Sequence, residues 1–333
     1  MTLKPQRFQL RPPDRCTLGC LLAAVVGLTL LVQSAQSSSA TYDEVTYIEL
    51  AARWWRGQSD DAITRMGSPL TFWKIQQAPV LWWLDHSGRS HWIDDPIENQ
   101  SQLLPVLRIG TLWIWLVTMA LVTVWSKQLY GSVAMLLAAW VFALGPNLIA
   151  HAPLLTMEMP VTAAMTAAFW AFWHYKAKQN WQWLAASAAL AGLAFSCKFT
   201  AVLVPVLIGI PWLLKRPASQ DTRRFHRILI LIYIIFYILI MLLTNLALTG
   251  FATIPLSEQV GVHPTVDRWF GPRVGGWLAH LIESPLPQDW VGFITQLRHQ
   301  RSGGPSYLLG ERAQHGWWYY YLVASALKVP LGV

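Results

Sequence analysis

The sequence predicts an all-α, polytopic membrane bundle, and three observations carry that expectation. Of 333 residues, 54% are hydrophobic and only 13% charged, against roughly a quarter charged in an ordinary soluble domain. The missing charge leaves long apolar runs, several near the ~20 residues a helix needs to cross a bilayer. Twenty tryptophans gather at the ends of those runs, as in Trp54-Trp55, Trp82-Trp83 and Trp317-Trp318. Amphipathic rings favour that headgroup level.

In chain order, residues 1–17 form a basic tail. Apolar runs then predict spans at about 18–32, 103–125, 132–149, 159–173, 181–196, 199–214 and 228–248. An eighth begins at Trp317, and the sequence stops inside it, which suggests truncation. With the N-terminus in the cytoplasm, the cytoplasmic pieces hold Lys4, Arg7, Arg11, Arg15, Lys127, Lys176, Lys178, Lys215, Arg216, Arg223, Arg224 and Arg227 against only Asp14 and Asp221. Those twelve cations and two acids leave thirteen and fifteen for the rest, so the net +8 divides into +10 inside and −2 elsewhere. This is the positive-inside asymmetry of an integral membrane protein, here of the plasma (inner) membrane. It also argues against nucleic acid as the partner of the basic charge. The first apolar run, with small residues at Ser38-Ser39-Ala40, also has the form of a cleavable signal peptide.

Two long segments, 33–102 and 249–316, face outward on this topology. In the first, Tyr42 to Trp55 puts Val45, Ile48, Ala51 or Ala52, and Trp55 on one stripe, the spacing of an amphipathic surface helix. A second such piece runs from Leu70 to Leu84, interrupted by Pro79. The second segment holds Pro255, Pro264, Pro272, Pro285, Pro287 and Pro305, which predicts loops and short helices rather than a core of its own. Cys16, Cys20 and Cys197 fit neither a disulfide framework nor a zinc site.

The charged residues outside the cytoplasmic set are the candidates for chemistry. Asp43-Glu44 opens the surface helix, where acids also serve as caps. His151 and Glu158 bracket the turn between the third and fourth spans. An acid at the bilayer edge must pair or face water. Lys198 lies in the tight turn between the fifth and sixth spans, where a lysine also reaches the interface by snorkelling. Arg108, near the top of the second span, reads as such an anchor. Lys328 falls eleven residues after Trp317, roughly 16 Å deep at ~1.5 Å per residue, and a cation there should face the interior or a cavity.

These residues fall in a familiar order: Asp43-Glu44, Ser68-Pro69-Leu70, His151 to Glu158, then Gly192-Leu-Ala-Phe-Ser-Cys-Lys198-Phe-Thr. Gly304-Pro-Ser-Tyr-Leu-Leu-Gly310-Glu311, Gly316-Trp-Trp-Tyr-Tyr-Tyr and Ala326-Leu-Lys328-Val-Pro330 follow. From about residue 20 onward the chain resembles the GT-C superfamily of membrane glycosyltransferases. Within that superfamily it is similar to the protein O-mannosyltransferase and lipid A aminoarabinose transferase branch, glycosyltransferase family 39. The resemblance implies a sugar donor linked to polyprenyl phosphate, a protein or lipid acceptor, and an active site on the extracytoplasmic face. It implies Asp43 as catalytic base, in an acid pair with Glu44. The acid of the second outer turn is usually aspartate, and here it is Glu158.

Polyprenyl phosphate leaves readily, so the reaction needs one base for the acceptor hydroxyl and cations for the departing phosphate. Lys198, Lys74, Arg273 and Lys328 are the candidate cations, and Glu158 and His151 could orient the sugar or acceptor. A single displacement inverts the anomeric centre. No metal-ligand constellation stands out in the sequence, and no cofactor beyond the donor is firmly implied. A transporter or flippase of a lipid-linked solute is the competing class. It is disfavoured because no repeated half is evident and the acids lie at the outer edge instead of the midplane.

Overall fold

The computed structural model describes residues 15–58, 69, 71–213, 220–255, 284–302 and 305–328. The first of its helices are α1 (Arg15–Ser37), α2 (Tyr42–Trp55), α3 (Thr71–His86) and α4 (Ser90–Asp94). Next come α5 (Gln100–Tyr130), α6 (Ser132–Leu144), α7 (Pro146–His151), α8 (Glu158–Lys178) and α9 (Trp181–Phe195). A 3₁₀ turn at Phe199–Val202 leads into α10 (Leu203–Leu213), which α11 (Gln220–Leu248) follows. Two short antiparallel pairs, β1 (Thr253–Pro255) with β2 (Pro285–Pro287) and β3 (Ser306–Leu308) with β4 (Glu311–Ala313), accompany α12 (Gln288–Ser302) and α13 (Tyr320–Lys328). The molecule is thus an all-α bundle with two three-residue strand pairs attached.

Among the described residues, three helices are long and apolar enough to cross a membrane: Arg15–Ser37, Gln100–Tyr130 and Ile230–Leu248. Shorter apolar helices occupy Ser132–Leu144, Trp181–Phe195 and Phe199–Ile210. The run expected as one element over 132–149 breaks at Gly145-Pro146, because proline cannot donate to the preceding turn but fits the first turn of a new helix. The helix expected from Trp317 starts at Tyr320, which puts Lys328 closer to the helix start than expected.

The bundle has two cores that share α5. One packs α1, α5 and α6 around Trp115, Leu31, Leu112 and Phe142. The other joins α2, α3, α8, α9, α10 and α11 around Leu107, Leu184, Phe195 and Met241. Helix α9 lies against α8 and α11 with a stripe of small buried residues, Ser187, Ala188, Ala191 and Gly192. A Cβ at Gly192 would meet the Met241 carbonyl oxygen at 2.5 Å and Thr244 at 2.9 Å. The close crossing therefore requires glycine, as small residues allow between membrane helices.

The first long connection folds onto the bundle. Helix α2 has the predicted bounds, but its buried face is Glu44, Ile48, Ala51 and Ala52, while Val45 points outward. Pro79 does not interrupt α3. An internal proline costs ~3 kcal/mol, whereas the fully buried Leu81 and Leu84 beyond it return about 1.5–3 kcal/mol each. Arg56 closes the arrangement by donating to Asp85, Asp94 and Ser90 at 2.7–3.0 Å.

Candidate active site

Helix ends gather at one end of the bundle, and three polar groupings hold them. The first centres on Glu44, which lies on the apolar stripe of α2 and so must be paired or displaced. Arg108 of α5 supplies the pair: Nε donates to Oε1 at 2.8 Å and Nη2 to Oε2 at 2.6 Å. The Leu155 N–H reaches Oε1 at 2.9 Å, and the Thr41 N–H and hydroxyl reach Oε2 at 2.9 and 3.0 Å. The other guanidinium hydrogens go to the carbonyls of Ala35, Ser38 and Ser39 at the end of α1. All five donors of the fork are thereby used. Both side chains are 0% exposed. Arg108 is therefore not the interfacial anchor expected; inside the bundle it satisfies an acid and a helix C-terminus together. Burial pushes the Glu44 carboxyl up, but the bonds from Arg108, Leu155 and Thr41 outweigh it and hold the group below its ordinary value.

Asp43 is the neighbour of this hub and its opposite. Adjacent helical residues point about 100° apart, so burying Glu44 turns Asp43 outward. Asp43 is exposed and has no hydrogen-bond or ion-pair partner among the described residues. Because Glu44 is bonded to Leu155, three residues before Glu158, the hub brings the start of α2 to the start of α8.

The second grouping is an ion pair. Lys198 Nζ donates to Glu158 Oε1 at 2.8 Å, with the two side chains 44% and 40% exposed. Glu158 stands in the first turn of α8, where the helix dipole favours an acid, and Lys198 leads into the 3₁₀ turn. Burial pushes the Glu158 carboxyl up, yet Lys198, with Thr156 behind it, outweighs this and holds the group below its ordinary value.

The third grouping was not foreseen from sequence. Asp289, in the first turn of α12, is completely buried, and its Oδ2 accepts from Asn245 Nδ2 at 2.7 Å. The same nitrogen donates to Ser196 Oγ at 2.7 Å. Burial pushes the Asp289 carboxyl up to about 7 against the opposing pull of Asn245 and of Lys74 on α3. Trp290 beside it stacks on Phe195 at 4.7 Å and borders an apolar cavity of about 450 Å³ between α10 and α11, walled by Val206, Ile210, Ile234, Ile238 and Met241.

Asp43, Glu44, Glu158, Lys198 and Lys74 thus lie on elements that meet at this end. His151 is exposed at the close of α7. Arg273 lies outside the described residues, and so does the Lys328 side chain. Sequence reasoning passed over Asp289, Asn245 and the pairing role of Arg108. An amide inside the apolar run 228–248 was the available signal for the second.

Long apolar helices, with acids and lysines converging at one end, define a helical membrane protein with a polar site. Residues 101–247 match the family model of dolichyl-phosphate-mannose-protein mannosyltransferases. The match supports a membrane glycosyltransferase of the GT-C kind. It runs from α5 to the end of α11 and takes in Arg108, Glu158, Lys198 and Asn245, while Asp43 and Asp289 lie outside it. No curated protein and no solved structure matches the chain.

Proposed function

We propose that the chain transfers a sugar, mannose-like or another hexose or pentose, from a polyprenyl-phosphate donor to a hydroxyl of a protein or lipid acceptor. The observation that carries this reading is the bond from Leu155 to Glu44. It ties the helix that carries the exposed carboxylate Asp43 to the chain segment leading into Glu158, the acid of the half-open Glu158–Lys198 pair.

In this reading the acceptor oxygen attacks the anomeric carbon while the bond from that carbon to the phosphate oxygen breaks. Polyprenyl phosphate departs with the bonding electrons, and Asp43 takes the acceptor proton. The configuration inverts. Lys198 and Lys74 hold the phosphate, whose charge grows as the bond breaks, and Glu158 keeps Lys198 in place until it arrives. Glu44 stays out of the chemistry, because its lone pairs are already taken. The apolar cavity beside Trp290 is the place for the first isoprene units of the donor. The basic tail and residues 215–227, which include the start of α11, face the cytoplasm, and the site faces the opposite side.

Incubating the purified full chain with a polyprenyl-phosphate donor carrying a radiolabelled sugar tests this directly. Labelled acceptor and free polyprenyl phosphate should appear together, and an intact donor with a range of hydroxyl acceptors would sink the reading. A cysteine placed at Ser219 should label only from the cytoplasmic side; labelling from outside reverses the topology.

A further inference from the structure

We infer that Asp289 is a positioning residue for this transfer: through Asn245 and Ser196 it fixes the turn that presents Lys198, and it faces Lys74. The inference rests on the glycosyltransferase reading above.

The geometry begins with a chain of contacts. Asp289 Oδ2 takes a hydrogen from Asn245 Nδ2, which also donates to Ser196 Oγ, both at 2.7 Å. Ser196 Oγ in turn reaches the Gly192 carbonyl at 3.1 Å. Ser196 is two residues before Lys198, whose N–H closes on the Ala194 carbonyl at 2.9 Å. The start of α12, the end of α11 and the Lys198 turn are therefore one hydrogen-bonded unit. Aromatic packing already docks α12, since Trp290 stacks on Phe195 and Phe293 meets Phe199 at 5.9 Å. Asp289 adds one hydrogen bond to that docking, and a buried, perturbed acid with a charged neighbour is a functional-site candidate.

Two orphaned atoms sharpen the assignment. Asp289 Oδ1 and Asn245 Oδ1 are both enclosed, and neither has a hydrogen-bond partner among the described residues. Buried acceptors left unsatisfied cost about 1–3 kcal/mol each. A proton on the carboxyl converts the Asp289 orphan from an unsatisfied acceptor into a donor. This agrees with a carboxyl raised to about 7 by burial. The charged group facing it from α3 is Lys74. The α9–3₁₀ turn brings the Cys197 thiol, pushed up by burial and by Asp289, and Lys198, which is paired with Glu158. The strands β1 and β2 packed against α12 bring no titratable side chain. Ionised, Asp289 draws Lys74 toward itself and competes with the donor phosphate. Protonated, it no longer competes for the lysine and keeps the unit closed.

The test is a pH series of sugar transfer by the full chain, from the same radiolabelled donor, for wild type and Asp289→Asn. If only the protonated form binds donor well, the wild-type donor KM rises about tenfold from pH 6 to pH 8, as the competent fraction falls, while kcat changes less. Asp289→Asn should hold the low-pH KM throughout. A wild-type profile in that variant overturns the inference and leaves the glycosyltransferase reading standing; wild type without transfer at any pH removes both. A second readout needs neither activity nor a folded variant. In the wild-type protein an infrared carbonyl band of a protonated carboxyl should be present at pH 6 and fade by pH 8, and its absence at pH 6 also overturns the inference.

Discussion

Two acid–base pairs of opposite character stand at one end of this bundle. Glu44–Arg108 is closed: both side chains are 0% exposed, and all five guanidinium donors are used. Glu158–Lys198 is open: each side chain is about 40% exposed, and the two are joined by one contact of 2.8 Å. The same pairing of charges therefore does two jobs. A closed pair has no capacity for a substrate and serves to hold backbone segments together. An open pair would give up little to a phosphate that took the lysine, because screened ion pairs contribute only ~0–1 kcal/mol. The difference also sorts the adjacent acids, since the closed pair consumes Glu44 and turns Asp43 outward.

The largest expected effect breaks the closed pair. Arg108→Met leaves a buried carboxylate without its cation and should destabilise the fold by about 3–5 kcal/mol. Thermal unfolding of the purified protein reads this out. An unchanged midpoint would mean that Glu44 is not closed off. Glu44→Gln should likewise appear mainly as lost stability, with the surviving folded fraction still turning over.

Asp43→Asn should do the reverse. It removes the proposed base but keeps the shape, so turnover should fall at least ~100-fold with the unfolding midpoint unchanged. Loss of stability without loss of turnover would return Asp43 to a capping role.

Much of this arrangement was legible in the sequence, and the misses share a cause. The bounds of α2 followed from its periodicity, and the place of Glu158 and Lys198 at helix turns followed from apolar run lengths. Glu44 at four residues before Ile48 and seven before Ala51 was on the buried stripe from the start, and an acid there demands a cation. Arg108, near the top of the next apolar run, was that cation, yet a lone arginine near a span end reads equally well as a snorkelling anchor. Asp289 was hidden differently. An acid at a helix start is ordinary, and nothing local shows that α12 turns it onto Asn245, 44 residues earlier. Pairings across the bundle depend on which helices touch, and the run-by-run reading of spans does not carry that.

Lys198 separates the open pair from a mere anchor. Lys198→Met keeps the apolar stem and drops the charge, and should lower turnover about tenfold, less than the 10²–10³ lost with a dedicated oxyanion donor. The donor KM should rise as well, because the phosphate is charged before and during bond breaking. Lys198→Arg should recover part of the activity, since its planar fork seeks a different geometry from a point charge. A methionine variant at the wild-type rate would make Lys198 an interfacial residue and move the phosphate site to Lys74, Arg273 or Lys328.

The smallest effect is expected from Glu158→Gln on stability. The pair it removes is half-exposed, so the loss at pH 7 should stay below ~1 kcal/mol. Acid unfolding compares the two pairs in one experiment. Both carboxyls are held below their ordinary value, so as pH falls the unfolded chain takes up protons before the folded one does. Each pair's contribution is therefore whole above the usual glutamate range and is lost as pH drops through the folded value. Removing Glu158 should trim that acid limb slightly, while the fall that remains belongs to the enclosed Glu44, whose protonation strands Arg108 among carbonyls. Glu44→Gln should instead flatten the limb and lower stability already at neutral pH. Equal acid limbs in the two variants would show that exposure does not distinguish the pairs, and the division between a structural pair and a substrate-facing one would have to be given up.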